Sequence, residues 1–328
     1  MIELEHGGAI HAAAEKYRIP PHEWLDLSTG INPNPWPVPP LAMSCWHQLP
    51  QVDDGLSEIA AEYYQSENAL PVCGSQAAIQ ALPGLRKASK VGFFAPSYAE
   101  HWRAWQRAGH QCLLIHRDEI DQVSPQLDVL VVVNPNNPTG HVVDPATLLN
   151  WHAQLSARGG WLLIDEAFMD MTPEYSLSRC SHRENLIVLR SLGKFFGLAG
   201  ARVGCVLAQQ GLLQQLANQL GPWTINHAAR TVAKLAMQDE VWQRATKQRL
   251  IKDGERLIRL LRQFDLQPHG GTALFQWIRC SDALEIHQAL AAQGILTRYF
   301  AEPMSIRFGL PLSEDEWHRL EKTLNMIR

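Results

Sequence analysis

Lys194 is the residue from which most chemistry could follow. It stands in Ser191-Leu192-Gly193-Lys194-Phe195-Phe196-Gly197, among apolar neighbours. Taking a lysine out of water favours its neutral amine, a nucleophile that forms a Schiff base with an aldehyde. Ser191, before it, and Arg202, after it, are anion ligands. Gly74-Ser75-Gln76 opens a predicted helix, and a helix N-terminus offers unsatisfied N–H groups and a positive dipole end to a phosphate. Asp165 follows the apolar run 161–164. A carboxylate there is costly unless partnered, so it either caps the next turn or meets the cationic ring nitrogen of a cofactor. The loop Asn134-Pro135-Asn136-Asn137-Pro138-Thr139-Gly140 is heavily determined by two prolines and a glycine. It either only turns the chain or aims the Asn137 amide at a ligand.

These groups describe one ligand, with a phosphate, a protonatable ring nitrogen and an aldehyde. Pyridoxal phosphate has all three.

The elements that must position them are short apolar runs at 91–95, 112–115, 129–133, 161–164, 186–189 and 203–207. Runs apolar at every position predict strands buried on both faces. Helical stretches between them, at 98–108 and 145–157, give the rhythm of a parallel α/β sheet. Earlier helices are expected over 9–17, 55–65 and 76–85. The proline-dense segment 31–37 forbids helix and predicts an extended arm. Beyond about 222 the pattern becomes α+β. A long helix over 239–264 carries Val241, Ala245, Leu250, Leu257 and Leu261 on its apolar side, and strands follow at 273–278, 296–300 and 305–310. A helix spans 281–293, and the last helix opens on a capping box, Ser313 with Glu316.

The chain has 328 residues, 46% hydrophobic and 19% charged, with a formal net charge of −4. That composition is globular, and the mild charge gives no footprint for nucleic acid or an anionic membrane. No run approaches the ~20 apolar residues of a membrane span. The polar start lacks a basic-then-apolar leader, and the six cysteines form no C-x-x-C pair. Buried free thiols in a cytoplasmic protein are expected, with no metal site.

In the motif set N-P-x-N-P-T-G, D-E-A-F, S-x-x-K and G-A-R-V-G, taken in this order, the sequence resembles the fold-type I pyridoxal-phosphate enzymes of the aspartate aminotransferase superfamily. It looks most like the branch holding histidinol-phosphate aminotransferases and threonine-phosphate decarboxylases. The resemblance implies a mostly parallel seven-stranded sheet in a cofactor domain (50–222). It also implies a smaller α+β domain made of an N-terminal arm (1–49) and residues 223–328. Lys194 matches the Schiff-base lysine, and Asp165 the partner of the pyridine nitrogen. Asn137 matches the ligand of the ring hydroxyl, and Tyr98 the aromatic stacked on the ring. Gly74, Ser75, Gln76, Ser191 and Arg202 match the phosphate cradle. Arg307 matches the grip on a substrate carboxylate, and Arg298 lies where members acting on phosphorylated substrates carry a second arginine. The opening, with His6-Gly7-Gly8 and then Ser28-Thr29-Gly30-Ile31-Asn32-Pro33, is similar to the threonine-phosphate decarboxylases of cobalamin biosynthesis. That adds His6, Gly7, Ile31 and Asn32 to the substrate residues, together with Asn137. The competing reading of His6 is a solvated terminal histidine.

Two positions depart from the pattern. Many aminotransferases carry tyrosine where Phe168 stands, and many relatives carry one near Leu49 that reaches the neighbouring subunit's cofactor phosphate. A homodimer acting on a phosphorylated amino acid is expected. The competing readings are an aminotransferase of histidinol-phosphate type and a non-catalytic cofactor module of the kind fused to DNA-binding domains. The second needs an extra helix-turn-helix domain, and the ~50 proline-rich residues before the cofactor domain and the negative net charge argue against it.

Overall fold

The computed structural model describes residues 6–116 and 119–328. A short strand β1 (Leu25–Asp26) comes first. Then come β2 (Leu70–Val72), β3 (Lys90–Phe94), β4 (Gln111–Ile115), β5 (Val129–Val133), β6 (Trp161–Asp165), β7 (Leu186–Ser191) and β8 (Gly204–Leu207). The last strands are β9 (Gly270–Thr272), β10 (Phe275–Arg279), β11 (Ile295–Leu296), β12 (Arg298–Phe300) and β13 (Ser305–Gly309). The helices are α1 (Ile10–Tyr17), α2 (Ser44–His47), α3 (Leu56–Tyr64), α4 (Gly74–Ala81), α5 (Ala99–Arg107) and α6 (Ile120–Val123). They continue with α7 (Pro145–Ser156), α8 (Gln210–Leu220), α9 (His227–Gln238), α10 (Glu240–Gln263), α11 (Ala283–Ala292) and α12 (Glu314–Ile327).

Seven strands form one sheet in the order β2-β8-β7-β6-β5-β3-β4. β3 to β7 run parallel, while β8 and β2 are antiparallel to their neighbours. β5 and β6 are buried at every position, as uninterrupted apolar runs require. β4 is different: it is an edge strand, and Leu114 is 63% exposed, so its apolar run is not buried on both faces. β2 carries no sequence signal of its own. It is three residues long with Pro71 at its centre, which only an edge strand tolerates.

The chain forms two compact units. One holds the large sheet and comprises residues 36–137 and 141–243. It therefore takes in 36–49 and 223–243 beyond the expected 50–222. The other comprises residues 1–35, 138–140 and 244–328. In it β12-β13-β10-β9 form an antiparallel sheet, and β1 pairs with β11. Ser313 caps α12 in a full capping box with Glu316.

Along α10 the buried face is Thr246, Leu250, Gly254, Leu257 and Leu261, whereas Val241 and Ala245 are exposed. At 100° per residue Val241 lies half a turn away from Leu250, so it could not share that face. The six cysteines are free, but only Cys205 is buried and Cys73 is exposed. Short apolar context did not suffice to bury the others.

Candidate active site

After β3 the chain runs to β4 on one side, then returns to β5 on the other. Open α/β sheets bind ligands outside the carboxyl ends of their strands at such a reversal. The loops that follow β3 and β5 carry Tyr98 and Asn137. Asn134, fully buried, pins the second loop: its amide donates to the Val143 carbonyl at 3.1 Å and accepts the Val143 N–H at 2.8 Å. Asn136 ties the two loops together. Its Nδ2 donates to the Pro96 carbonyl at 2.9 Å, and its Oδ1 lies 3.0 Å from Ser97 Oγ, which donates to it. Asn134 and Asn136 were not read as functional from the sequence, yet they fix the positions of Asn137 and Tyr98.

Burial, then the carboxylates of Asp165 and Glu100, push the Tyr98 phenol up to about 12. It stays neutral and offers an aromatic face. Its hydroxyl donates to Gln76 Oε1 at 3.4 Å, while Gln76 Nε2 donates to the buried Glu100 at 2.9 Å. The Gln76 side chain thus orients Tyr98. Its backbone N–H, in the first turn of α4, is the group suited to a phosphate.

The first turn of α4 is cut to receive an anion. Gly74 has φ +67°, and a Cβ there would lie 2.6 Å from Arg202 Nη2, so the guanidinium lies directly over the helix start. Ser191 faces Gly204 across the β7–β8 ladder, and a Cβ at Gly204 would strike Ser75 N at 2.5 Å. Ser191 Oγ accepts the Gly193 N–H at 3.2 Å, which turns its own O–H to donate elsewhere. A cation, helical N–H groups and a hydroxyl meet around two glycines that admit no side chain. The residues present fit the phosphate of pyridoxal phosphate.

Asp165 closes β6 and is 3% exposed. Its Oδ1 accepts the Ala167 N–H at 3.1 Å, and its Oδ2 lies 2.9 Å from Nε2 of His101, itself 1% exposed. The local bond meets one expectation for this carboxylate. The second oxygen is held by an imidazole, one of the fourteen histidines of the sequence and part of none of the motifs read above. The signal was there, since His101 lies three residues beyond Tyr98 at the start of a helix, a spacing that puts both on one side. Lys194 is half-buried, with Nζ 5.4 Å from the centre of the Phe168 ring. Phe195 and Phe196 beside it are buried, and Phe196 stacks on Trp242 at 5.7 Å.

The other unit carries the remaining predicted residues, and Ser28 meets two of them, Arg307 and Gly7. Arg307, in β13, donates to the Ser28 carbonyl at 2.7 Å. The Gly8 N–H donates to Ser28 Oγ at 2.7 Å, and a Cβ at Gly7 would lie 2.5 Å from the Ser28 carbonyl oxygen. Asn32 is buried, and its Oδ1 accepts from Arg249 Nη2 at 3.2 Å and from the Asn34 N–H at 3.1 Å. Ile31 is half-buried and His6 exposed. Ser28 and Arg249 went unread in the sequence, being a common hydroxyl and one of many cations on a basic helix. Arg298 stands directly opposite Arg307 in the β12–β13 ladder. Burial, then the like charge of Arg298, lower the Arg307 guanidinium to about 9. Two cations directly opposite on one sheet face repel unless an anion lies between them.

Among known proteins, the family model for aminotransferase class I and II matches residues 42–323. A threonine-phosphate decarboxylase of Pseudomonas aeruginosa is 53% identical over 98% of this chain and 97% of its own length. One from a Sinorhizobium species is 41% identical over 94% of this chain and 93% of its own. The crystal structure of the histidinol-phosphate aminotransferase from Clostridium acetobutylicum superposes with a TM-score of 0.82 at 20% identity, covering 92% of this chain and 98% of that one. The family match spans most of the chain, so the chain belongs to the class I and II aminotransferase family.

Proposed function

We propose that this protein decarboxylates L-threonine O-3-phosphate to (R)-1-amino-2-propanol O-2-phosphate, a step of cobalamin biosynthesis, with pyridoxal 5'-phosphate as cofactor. The 53% identical relative is named a threonine-phosphate decarboxylase. The observation that carries the reading is the opposed pair Arg298 and Arg307. The substrate has two anions, a carboxylate and a phosphate, and two guanidiniums on one sheet face match both.

When bound, pyridoxal phosphate supplies an electron sink for the pair released as a bond to the substrate's α-carbon breaks. The chain's residues do the rest. Gly74, Ser75, Ser191 and Arg202 hold the phosphate, and Asn137 donates to the ring hydroxyl. Asp165, fixed by His101, holds the ring nitrogen protonated. Tyr98 covers the ring. Arg298 and Arg307, with His6 and Asn32, would hold the substrate's two anions and so choose which bond to its α-carbon breaks. Lys194 carries the proton that its Nζ returns to the α-carbon.

Incubation with threonine phosphate should release carbon dioxide with no requirement for 2-oxoglutarate. Turnover that depends on 2-oxoglutarate, with the carboxylate retained in the product, would establish an aminotransferase instead.

The protein works as a homodimer in this reading. Met43, Trp46, Leu49 and Val52 are each at least 64% exposed, on a segment whose helix α2 packs against α9. Apolar side chains exposed together mark an interaction surface. Trp46→Glu should turn a dimer into a monomer in light scattering. A parent that is already monomeric at micromolar concentration would end the dimer reading. The six free thiols support a reducing compartment, the cytoplasm. Among the described residues no helix is long and apolar enough to cross a membrane.

A further inference from the structure

Behind the cofactor residues lies a buried ionic cluster that none of the roles above uses. Arg190 is 3% exposed, Glu166 0% and Asp170 3%. Arg190 Nη1 donates to Glu166 Oε2 at 2.8 Å, and Nη2 donates to Asp170 Oδ1 at 3.0 Å. Glu166 also accepts from Ser176 Oγ and from the Leu177 N–H. Asp170 accepts the Tyr63 hydroxyl at 3.0 Å, and the Arg190 guanidinium lies 4.5 Å from the Tyr64 ring centre. Every Glu166 oxygen is thus engaged, and burial still pushes its carboxyl up.

The cluster's place in the chain gives it meaning. Glu166 directly follows Asp165, and Arg190 directly precedes Ser191. β6 and β7 are adjacent and parallel, with Asp165 opposite Leu189 and the Glu166 N–H donating to the Leu189 carbonyl at 2.9 Å. Side chains alternate along a strand. Asp165, Leu189 and Ser191 therefore share one face, while Glu166 and Arg190 share the other. The fork of Arg190 closes across the back of the two strand ends whose front carries the ring-nitrogen carboxylate and a phosphate hydroxyl. Through Asp170 it also holds Tyr63, whose ring is 5.5 Å from Phe196, two residues past Lys194.

We propose that Arg190 is a positioning residue for the cofactor: its two-pronged bond to Glu166 and Asp170 sets the spacing of Asp165, Ser191 and the Lys194 turn. Stability alone is a weak reason for such a cluster, since buried ion triads are often matched or bettered by apolar residues of equal volume. The proposal rests on the assignment of pyridoxal phosphate to this site.

Two variants test it. Arg190→Lys keeps the charge and loses the fork. The triple variant Arg190→Met, Glu166→Gln, Asp170→Asn removes all three charges at nearly constant volume. Melting of the apoenzyme, the dissociation constant for pyridoxal phosphate and the visible circular dichroism of the bound cofactor are measured on each. The expected result is an about tenfold weaker dissociation constant and a diminished or inverted dichroic band in both. The melting temperature of the apoenzyme should not account for the change. Parental affinity and dichroism in Arg190→Lys would overturn the proposal, and so would parental values in the triple variant. If the triple variant fails to fold, Arg190→Lys decides alone. A parent that binds no pyridoxal phosphate would overturn the cofactor assignment itself, a separate failure.

Discussion

Lys194→Ala should leave a folded protein that still takes up pyridoxal phosphate but no longer turns over. Borohydride reduction followed by denaturation should fix the cofactor to the parent chain and release it from the variant. The phosphate cradle does not depend on the lysine: Gly74 and Arg202 meet at the start of α4, and Ser191 faces Gly204 in the sheet. Affinity from those groups should persist. The covalent link should not, because Nζ is the nucleophile in the proposed reaction. In that proposal the same nitrogen carries the proton to the α-carbon. Losing a positioned acid–base group costs about 10²–10⁴-fold, and losing the covalent step adds to that. Activity should therefore fall by more than about two orders of magnitude. The Lys194 side chain is half-buried beside Phe168, so truncation should change the melting temperature little. Cofactor that remains fixed to the variant chain after reduction would show that another amine forms the link.

The sheet was largely legible because its strands are uninterrupted apolar runs, and burial on both faces leaves no other pattern. β5 falls on 129–133 as expected for that reason. Legibility failed where burial is one-sided or the element is short. Gln111–Ile115 is the strand expected at 112–115, but its edge position, with Leu114 exposed, was not legible, and Leu70–Val72 has too few residues to show a period. In the site, residues in dense local motifs could be read, since a loop such as Asn134 to Gly140 constrains itself. Residues that act across the fold could not. His101 meets Asp165 from another element, and Arg190 meets Asp170 from a turn twenty residues away. Both partnerships are made by the packing of neighbouring strands and helices. No local spacing encodes them, although the helical offset between Tyr98 and His101 hinted at the first.

Arg307→Ala should cut kcat/KM for threonine phosphate by roughly two to three orders of magnitude while leaving the cofactor's absorbance intact. Removing one partner of a buried, hydrogen-bonded charge pair costs about 2–5 kcal/mol, and ~1.4 kcal/mol is tenfold. Folding should suffer less. The substitution strips the Ser28 carbonyl of one donor, which costs about 1–3 kcal/mol. It also removes the repulsion from Arg298 across the ladder, an opposing gain. Arg307→Lys separates charge from shape: it keeps the cation but loses the planar fork, so it should recover only part of the loss. Arg298→Ala should raise KM as well, and the double variant decides how the two act. If each holds its own anion of one substrate, losing either lets the molecule swing, and the second loss costs less than the first. The effects should then fall short of additive, as they do for groups that share a ligand. Fully additive effects would mean that the two arginines do not share one substrate. Arg307→Ala within twofold of the parent would remove the carboxylate and phosphate grip from this pair altogether, and with it the structural ground for a doubly anionic substrate.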